Sequence, residues 1–367
     1  MTSRRFSHFF FISILLLVST ILIANLLIDP FSIFKVSLLK HPFQINERFI
    51  KIEHLQKNHT KFDSYLFGSS RVVNTDPMII EKYIPHSKFY NLAVSSGNFS
   101  DYLAHLNYFI KEKYPIKNIY LQIDLDNFAH YGHPDDAYLL KMHPYVIGEK
   151  KWKFYVDYLT HPSWINIKGK FLANFEDQNH STYNWDKGYH IKTYLEKAIQ
   201  KNCQKYRQTQ PSFQRKYSRN IRGITLSQSI LSLKTIKKLC DENQINLIVF
   251  ITPHNQHMMD RFVLEDYFNF LQQIAVITNY YDFSGYNTVT TNDCNYYETS
   301  HYRPLVGNLI AARIFHDSTI SVPDDFGKFI TKNTIDNHII LLKKQIDEYE
   351  ESTKHDDLLN LKPFKSK

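Results

Sequence analysis

Glycine is scarce, with 10 in 367 residues, proline numbers only 13, and no stretch is proline-rich or internally repeated. Together with 27 Phe and 25 Tyr, this excludes a fibrous or disordered chain and points to a packed one. Cysteine is nearly absent: Cys203, Cys240 and Cys294 form no C-x-x-C pair. A zinc or multi-bridge framework is thereby excluded, at most one disulfide is open, and the compartment stays unread from cysteine alone. Charge is missing altogether from Phe6 to Ile28, a run of 23 residues. As a helix such a run reaches about 35 Å, enough to cross a hydrocarbon layer of about 30 Å. Arg4 and Arg5 precede it, which by the positive-inside rule leaves the N-terminus in the cytoplasm, although Lys35 and Lys40 follow. A cleaved signal peptide is the rival reading. The run is long for one, and Ile23-Ala24-Asn25 is a poor cleavage site. The expectation is a single-pass anchor in the cytoplasmic membrane, with the rest of the chain in the periplasm or extracellular space.

The net charge of +8 favours anionic surroundings such as phospholipid or a charged glycan. Nucleic acid is disfavoured as a partner, because the anchor puts the bulk of the chain across a membrane from it. Residues 29–60 read as a connector, broken at Asp29-Pro30 and His41-Pro42. Ser64-Tyr65-Leu66-Phe67 is a short strand, Lys88–Val94 a second, and Asn118–Leu125 a third. Between the latter two, a helix capped by Ser100 carries Tyr102, Leu106, Phe109 and Ile110 on one face and stops by Pro115. From 128 to 224 the periodicity loosens into an expected inserted cap, in which 201–222 is strongly basic. That basic stretch is either a solvated loop or a contact for anionic glycan or lipid headgroups. The pattern resumes with a helix from Thr225, a buried strand Asn246–Ile251, a helix from Met258 to Ile274, a strand from Asn279 to Phe283 and a helix from Leu305 to Phe315. Residues 334–350 read as a terminal helix and those after 351 as a disordered tail. This alternation predicts an α/β domain over 61–330, with a parallel sheet covered by helices.

Two stretches carry chemistry. Gly68-Ser69-Ser70-Arg71 follows the first strand, and Glu298-Thr299-Ser300-His301-Tyr302-Arg303-Pro304 lies far downstream. A carboxylate three residues before a histidine can orient the ring while the opposite nitrogen serves a serine, the logic of a Ser–His–acid hydrolase. By spacing alone the signal is weak. It gains weight if the serine ends a strand and the histidine precedes a helix. Two more clusters fall after predicted strands, Ser95-Ser96-Gly97 and Asp124–Asn127, and in an open α/β sheet such loops meet at one edge.

In this order the four blocks resemble those of the SGNH (GDSL-like) hydrolase superfamily, over residues 62–130 and 225–316. The resemblance is closest to membrane-anchored members similar to the alginate O-acetylation proteins and DltD-type proteins. It implies a three-layer, flavodoxin-like fold with helices on both sheet faces, and it matches Ser70 to the nucleophile, His301 to the base and Glu298 to the acid. It further implies an oxyanion hole from Ser70, the turn of Ser96 and Gly97, and a donor from the third block. There the family offers an asparagine, whereas Asp126 stands at the aligned position with Asn127 next to it. An ionised Asp126 facing an oxyanion would repel it, and losing one donor typically slows such a reaction by about 10²–10³. Arg71 and Arg303 are either structural salt-bridge partners or contacts for an anionic substrate group. His254 lines the cleft; it and His257 are spaced i, i+3 with Asp260 nearby, and no third metal ligand of clear spacing joins the two histidines. Neither a metal nor a cofactor is expected. The implied activity is an esterase or O-acyltransferase acting on O-acyl, chiefly acetyl, esters of a cell-envelope glycan, with a membrane-bound O-acyltransferase as partner. The alternatives are a catalytically weak glycan-binding or assembly factor, which Asp126 and the aromatic and basic inserted region motivate, and an envelope scaffold.

Overall fold

Four of the apolar runs become central strands because neighbours on both sides bury them. The computed structural model describes residues 3–34, 37–39, 44–130, 132, 138–161, 163–175 and 181–360. Lys35, Lys40 and His41-Pro42, and the last seven residues of the expected tail, lie outside the described residues. In chain order the helices are α1 (Ser3–Ile28), α2 (Glu47–Asn58), α3 (Met78–Glu81), α4 (Phe99–Lys111), α5 (Lys151–Thr160), α6 (Trp164–Phe175) and α7 (Thr193–Lys201). They continue as α8 (Cys203–Thr209), α9 (Leu226–Glu242), α10 (Gln256–Met259), α11 (Leu264–Ile277), α12 (Pro304–Ile314) and α13 (Ile335–Asn360). The strands are β1 (Ser64–Phe67), β2 (Phe89–Asn91), β3 (Asn118–Ile123), β4 (Thr182–Asn184), β5 (Tyr189–Ile191), β6 (Asn246–Ile251), β7 (Tyr280–Asp282), β8 (Tyr296–Glu298), β9 (His301–Tyr302) and β10 (Lys328–Ile330).

The chain divides into two compact units. The larger comprises residues 60–103, 114–132 and 182–367. Its six-stranded sheet has the order β10-β7-β6-β3-β1-β2, parallel throughout except for the antiparallel edge strand β10. The five parallel strands thus run second, first, third, fourth, fifth, an order whose crevices open at the carboxyl ends of the strands. Side chains knit the starts of the central strands. Asn246 Nδ2 donates to Asn118 Oδ1 at 3.0 Å, and Asn118 Nδ2 donates to Ser64 Oγ at 2.9 Å. Leu66, Tyr120 and Phe250 pack with Val306, Ile310 and Ile314 of α12 and Ile80 of α3. Their buried alternates Tyr65, Phe67, Leu121, Val249 and Ile251 face the other way, as strand geometry requires, and α9 packs on β6.

Several expectations change. Asn98, not Ser100, caps α4: its Oδ1 accepts the Ser100 amide at 2.9 Å while Asp101 accepts the Asn98 amide at 3.0 Å, a reciprocal cap. The helix expected from Met258 to Ile274 is two, α10 and α11, because Arg261–Val263 pairs with Asn220 and Ile221. The edge strand β10 went unseen, and α13 runs ten residues past its expected end, to Asn360. The expected cap is no single body either: residues 133–181 belong to the smaller unit and 182–224 to the larger.

The smaller unit comprises residues 1–59, 104–113 and 133–181. Its helix α1 is long and apolar enough over Arg5–Ile28 to cross a membrane. The foot of α1 is built into the unit. Asn25 Nδ2 donates to the carbonyls of Leu159 and His161 at 2.9 and 2.6 Å, and so closes the end of α5. Asp29 accepts the Tyr158 hydroxyl at 2.9 Å, and its own carbonyl accepts Lys170 Nζ at 2.7 Å. The expected connector is therefore folded, with Phe49 of α2 stacked on Phe154 of α5 at 4.7 Å. Asn25→Ala leaves buried carbonyls of α5 without donors, at a cost of about 1–3 kcal/mol. The expected outcome is faster tryptic cleavage in 150–170 of the full-length protein in detergent, with the digestion pattern of the larger unit unchanged.

Candidate active site

All four residues of β1 are buried, so the chain surfaces only at the strand's end, at Gly68. A side chain there would put its Cβ 2.4 Å from Val72 Cγ2 and 2.6 Å from Gln122 Oε1, so only glycine lets the loop turn this tightly. Gln122 of β3 accepts the Ser69 amide at 2.9 Å. Ser70 follows at the tip, half-buried. The second loop lies directly on this one: Val94 N–H donates to the Gly68 carbonyl at 3.0 Å, and a Cβ at Gly97 would meet that carbonyl oxygen at 2.5 Å.

The acid and histidine arrive on the hairpin β8–β9, in which Glu298 pairs with His301. Glu298 accepts the Ser300 amide at 2.9 Å through one oxygen and His301 Nδ1 through the other. That leaves Nε2 of His301 2.8 Å from Ser70 Oγ, placed to accept its proton. Serine, histidine and acid are thus in line, the serine after a strand and the histidine just before α12. Burial alone would raise the Glu298 carboxyl, but the hydrogen bond and charge of His301 outweigh it and hold the carboxyl below its ordinary range.

Behind the serine lies a buried charge cluster. The Arg71 guanidinium is 2.7 Å from Asp124 and grips Asp126 with two bonds of 3.2 and 3.3 Å, while its Nε donates to the Ser300 carbonyl at 3.1 Å. Gln122 and Thr252, neither of them singled out by the sequence reading, complete the set. Gln122 donates to Asp124 and Thr252, and Thr252 donates to Asp124 at 2.8 Å. Burial pushes the Asp124 carboxyl up; for Asp126 burial is outweighed by Arg71, which holds it down. His254, fully buried, donates through Nδ1 to the Thr252 carbonyl at 3.2 Å and is pushed down to about 3, first by burial and then by Arg71. Asp124, Asp126 and His254 bring ligand atoms within 4.8 Å of one another. They would be a metal set, invisible in the spacing, were Arg71 not already supplying the positive charge between the carboxylates.

The expected oxyanion and substrate contacts need correction. Gly97 N–H is used by the Val94 carbonyl at 2.9 Å, and Asp126 is turned to Arg71. Asn127 is buried, with its amide near the Tyr102 hydroxyl and without a well-formed bond to it. The amides of Ser70 and Ser96 have no partner among the described residues, and Ser96 takes a left-handed conformation with φ of 52°. These two are the available donors. Arg71, Arg303 and His254 are all buried and turned to the protein, so the reading of them as substrate contacts gives way to salt bridges and packing. Arg303 pairs with Glu196 at 2.7 Å and donates to the Cys294 carbonyl at 2.7 Å.

Glu196 of α7 belongs to a brace that sequence could not reveal. It also accepts the Tyr297 hydroxyl at 2.7 Å, Tyr206 of α8 donates to the Tyr297 carbonyl at 2.7 Å, and Arg207 pairs with Asp293 at 2.5 Å. A disulfide joins Cys203 at the start of α8 to Cys294, just before β8, leaving Cys240 buried and free. No protein-family model matches this chain, and no curated protein is significantly similar to it.

Two outcomes follow. Arg71→Ala strands the buried Asp124 carboxylate beside the partly buried Asp126 and is expected to cost about 3–5 kcal/mol, read as a lower urea midpoint. His254, neutral in the fold, takes up a proton on unfolding once the pH drops below about 6.5. Its share of stability is complete above that pH and is lost toward about 3. Between pH 6.5 and 4.5 the wild type should lose roughly 2–3 kcal/mol more than His254→Gln in urea titrations.

Proposed function

We propose that this chain is a membrane-anchored, SGNH-like serine esterase or O-acyltransferase, working outside the cytoplasmic membrane on O-acyl, chiefly acetyl, esters of a cell-envelope glycan. The observation that carries this reading is the hydrogen-bonded line from Ser70 Oγ through His301 to Glu298. The strand order, with the site's loops gathered at the carboxyl ends of the strands, supports it. So does the single apolar helix near the N-terminus. The foot of α1 is folded into the smaller unit, which favours a retained anchor over a cleaved signal. The Cys203–Cys294 bridge suits an oxidising compartment outside the cytoplasm.

In the reaction, Ser70 Oγ attacks the ester carbonyl while its proton passes to His301 Nε2. Glu298 holds the Nδ1 proton and stabilises the imidazolium as it forms. The amides of Ser70 and Ser96 face the oxyanion. His301 then returns its proton to the departing sugar oxygen, leaving the acyl group on Ser70. Water entering next gives hydrolysis, and a glycan hydroxyl gives transfer. In the transfer case a membrane-bound O-acyltransferase is the fitting donor partner, as the resemblance implies. The glycan-binding alternative rests on Asp126 and on the aromatic and basic inserted region; the Arg71–Asp126 bonds weaken the first of these grounds and leave the second.

The test is labelling of the full-length protein in detergent with a fluorophosphonate probe, alongside turnover of a small acetyl ester. Labelling is expected in the wild type, absent in Ser70→Ala and His301→Ala, slowed by about 10²–10⁴ in Glu298→Gln, and unaffected by a chelator. A folded wild type that neither labels nor turns over ester overturns the proposal in favour of a binding or assembly factor.

A further inference from the structure

Helix α6 is built inside out. Its exposed positions are 164, 165, 168, 171, 172 and 175, spaced i, i+1, i+4, i+7, i+8 and i+11, which is one face of a helix. Five of the six are large and apolar. Ile165 is 85% exposed, Phe175 69%, Phe171 49%, Trp164 48% and Leu172 42%. The opposite side carries the polar work: Lys170 is buried and donates to the Asp29 carbonyl, and Asn174 donates to the Lys170 carbonyl at 2.8 Å. A helix bathed in water shows the reverse arrangement, since an apolar stripe of this size costs free energy unless something covers it.

The position of α6 says what covers it. Asn25 holds the His161 carbonyl just before α6, and Asp29 holds Lys170 in its middle. These anchor points on the α1 stretch are four residues apart, about 6 Å of helix axis, so α6 stays level with the end of the apolar run. Farther along α1 toward its N-terminus the helix is exposed and apolar as well, with Phe11, Leu15 and Leu16 among its open side chains. Aromatic rings near both ends of the stripe suit the boundary between headgroups and acyl chains. Lys168, alone among them, can stretch its ammonium to lipid phosphate while its stem stays apolar.

We propose that α6 is an interfacial membrane helix, with Trp164, Ile165, Phe171, Leu172 and Phe175 in the acyl-chain boundary of the lipid bilayer and Lys168 at the headgroups. The smaller unit then touches the membrane twice, through α1 and through α6. This rests on α1 as a membrane helix and not on the chemistry of Ser70.

The test uses the full-length chain with Cys240→Ser, the native disulfide intact, in phosphatidylethanolamine–phosphatidylglycerol vesicles. Nitroxide spin labels are attached one at a time at Leu15→Cys, Ile165→Cys, Ile167→Cys and Leu172→Cys, and collisions with oxygen and with a water-soluble nickel chelate are measured. Positions 15, 165 and 172 are expected to be open to oxygen and shielded from nickel, with 167, which is half-buried, less open to oxygen than 165 and 172. Lipid exposure at 15 but nickel access at 165 and 172 overturns the α6 proposal and leaves the anchor standing. Shielding of 165 and 172 from both reagents also overturns it, assigning the face to a protein contact. Nickel access at 15 overturns both readings.

Discussion

Arg71 is the side chain on which the candidate site depends. It follows Ser70 in sequence, and its guanidinium binds Asp124 and Asp126 after β3 and the Ser300 carbonyl between Glu298 and His301. One cation therefore holds three loops that arrive from three places in the chain. Its charge is compensated in a largely buried cluster, Asp124 wholly so and Asp126 in part, where removing one partner costs far more than the pair is worth on a surface. Gln122 and Thr252 finish the hydrogen bonding of Asp124, so the cluster is connected rather than merely paired. Connected buried networks of this kind impose a single geometry, which keeps Ser70 Oγ 2.8 Å from His301 Nε2.

The acid–histidine hairpin is short and would be free to bend if only Arg71 held it. The larger unit braces it from the other side through α7 and α8. Glu196 grips Arg303 and Tyr297, and the Cys203–Cys294 bridge ties the start of α8 to the turn just before the strand that carries Glu298. The late part of the inserted region is in this sense a splint for the Glu298–His301 hairpin, with its basic residues partly consumed in pairs such as Arg207 with Asp293.

The smaller unit follows a different logic. There polar groups face inward around the foot of α1, at Asn25, Asp29 and Lys170, while large apolar side chains on α6 face outward. In water that arrangement is unfavourable, and against lipid it is the stable one.

Much of this was legible in the chain. Apolar runs of four to six residues between helical patterns define a parallel sheet, because a strand buried on both faces has to be apolar throughout. Glycine and serine at the end of the first such run, with Glu298 and His301 before a helix, mark the candidate site, because a tight turn and a three-residue spacing are local matters. A charge-free run of membrane length at Phe6–Ile28 is likewise a statement about neighbouring residues only. What tertiary structure decided is the partnering of long-range groups: Arg71 with Asp126 rather than with substrate, Arg303 with Glu196, Cys203 with Cys294, and the cut that sends 133–181 and 182–224 to different units. Spacing along a chain carries no information about which side chains meet when the separation runs to 55 or 107 residues. Those pairings are set by the sheet order and by where burial demands that each charge find its opposite.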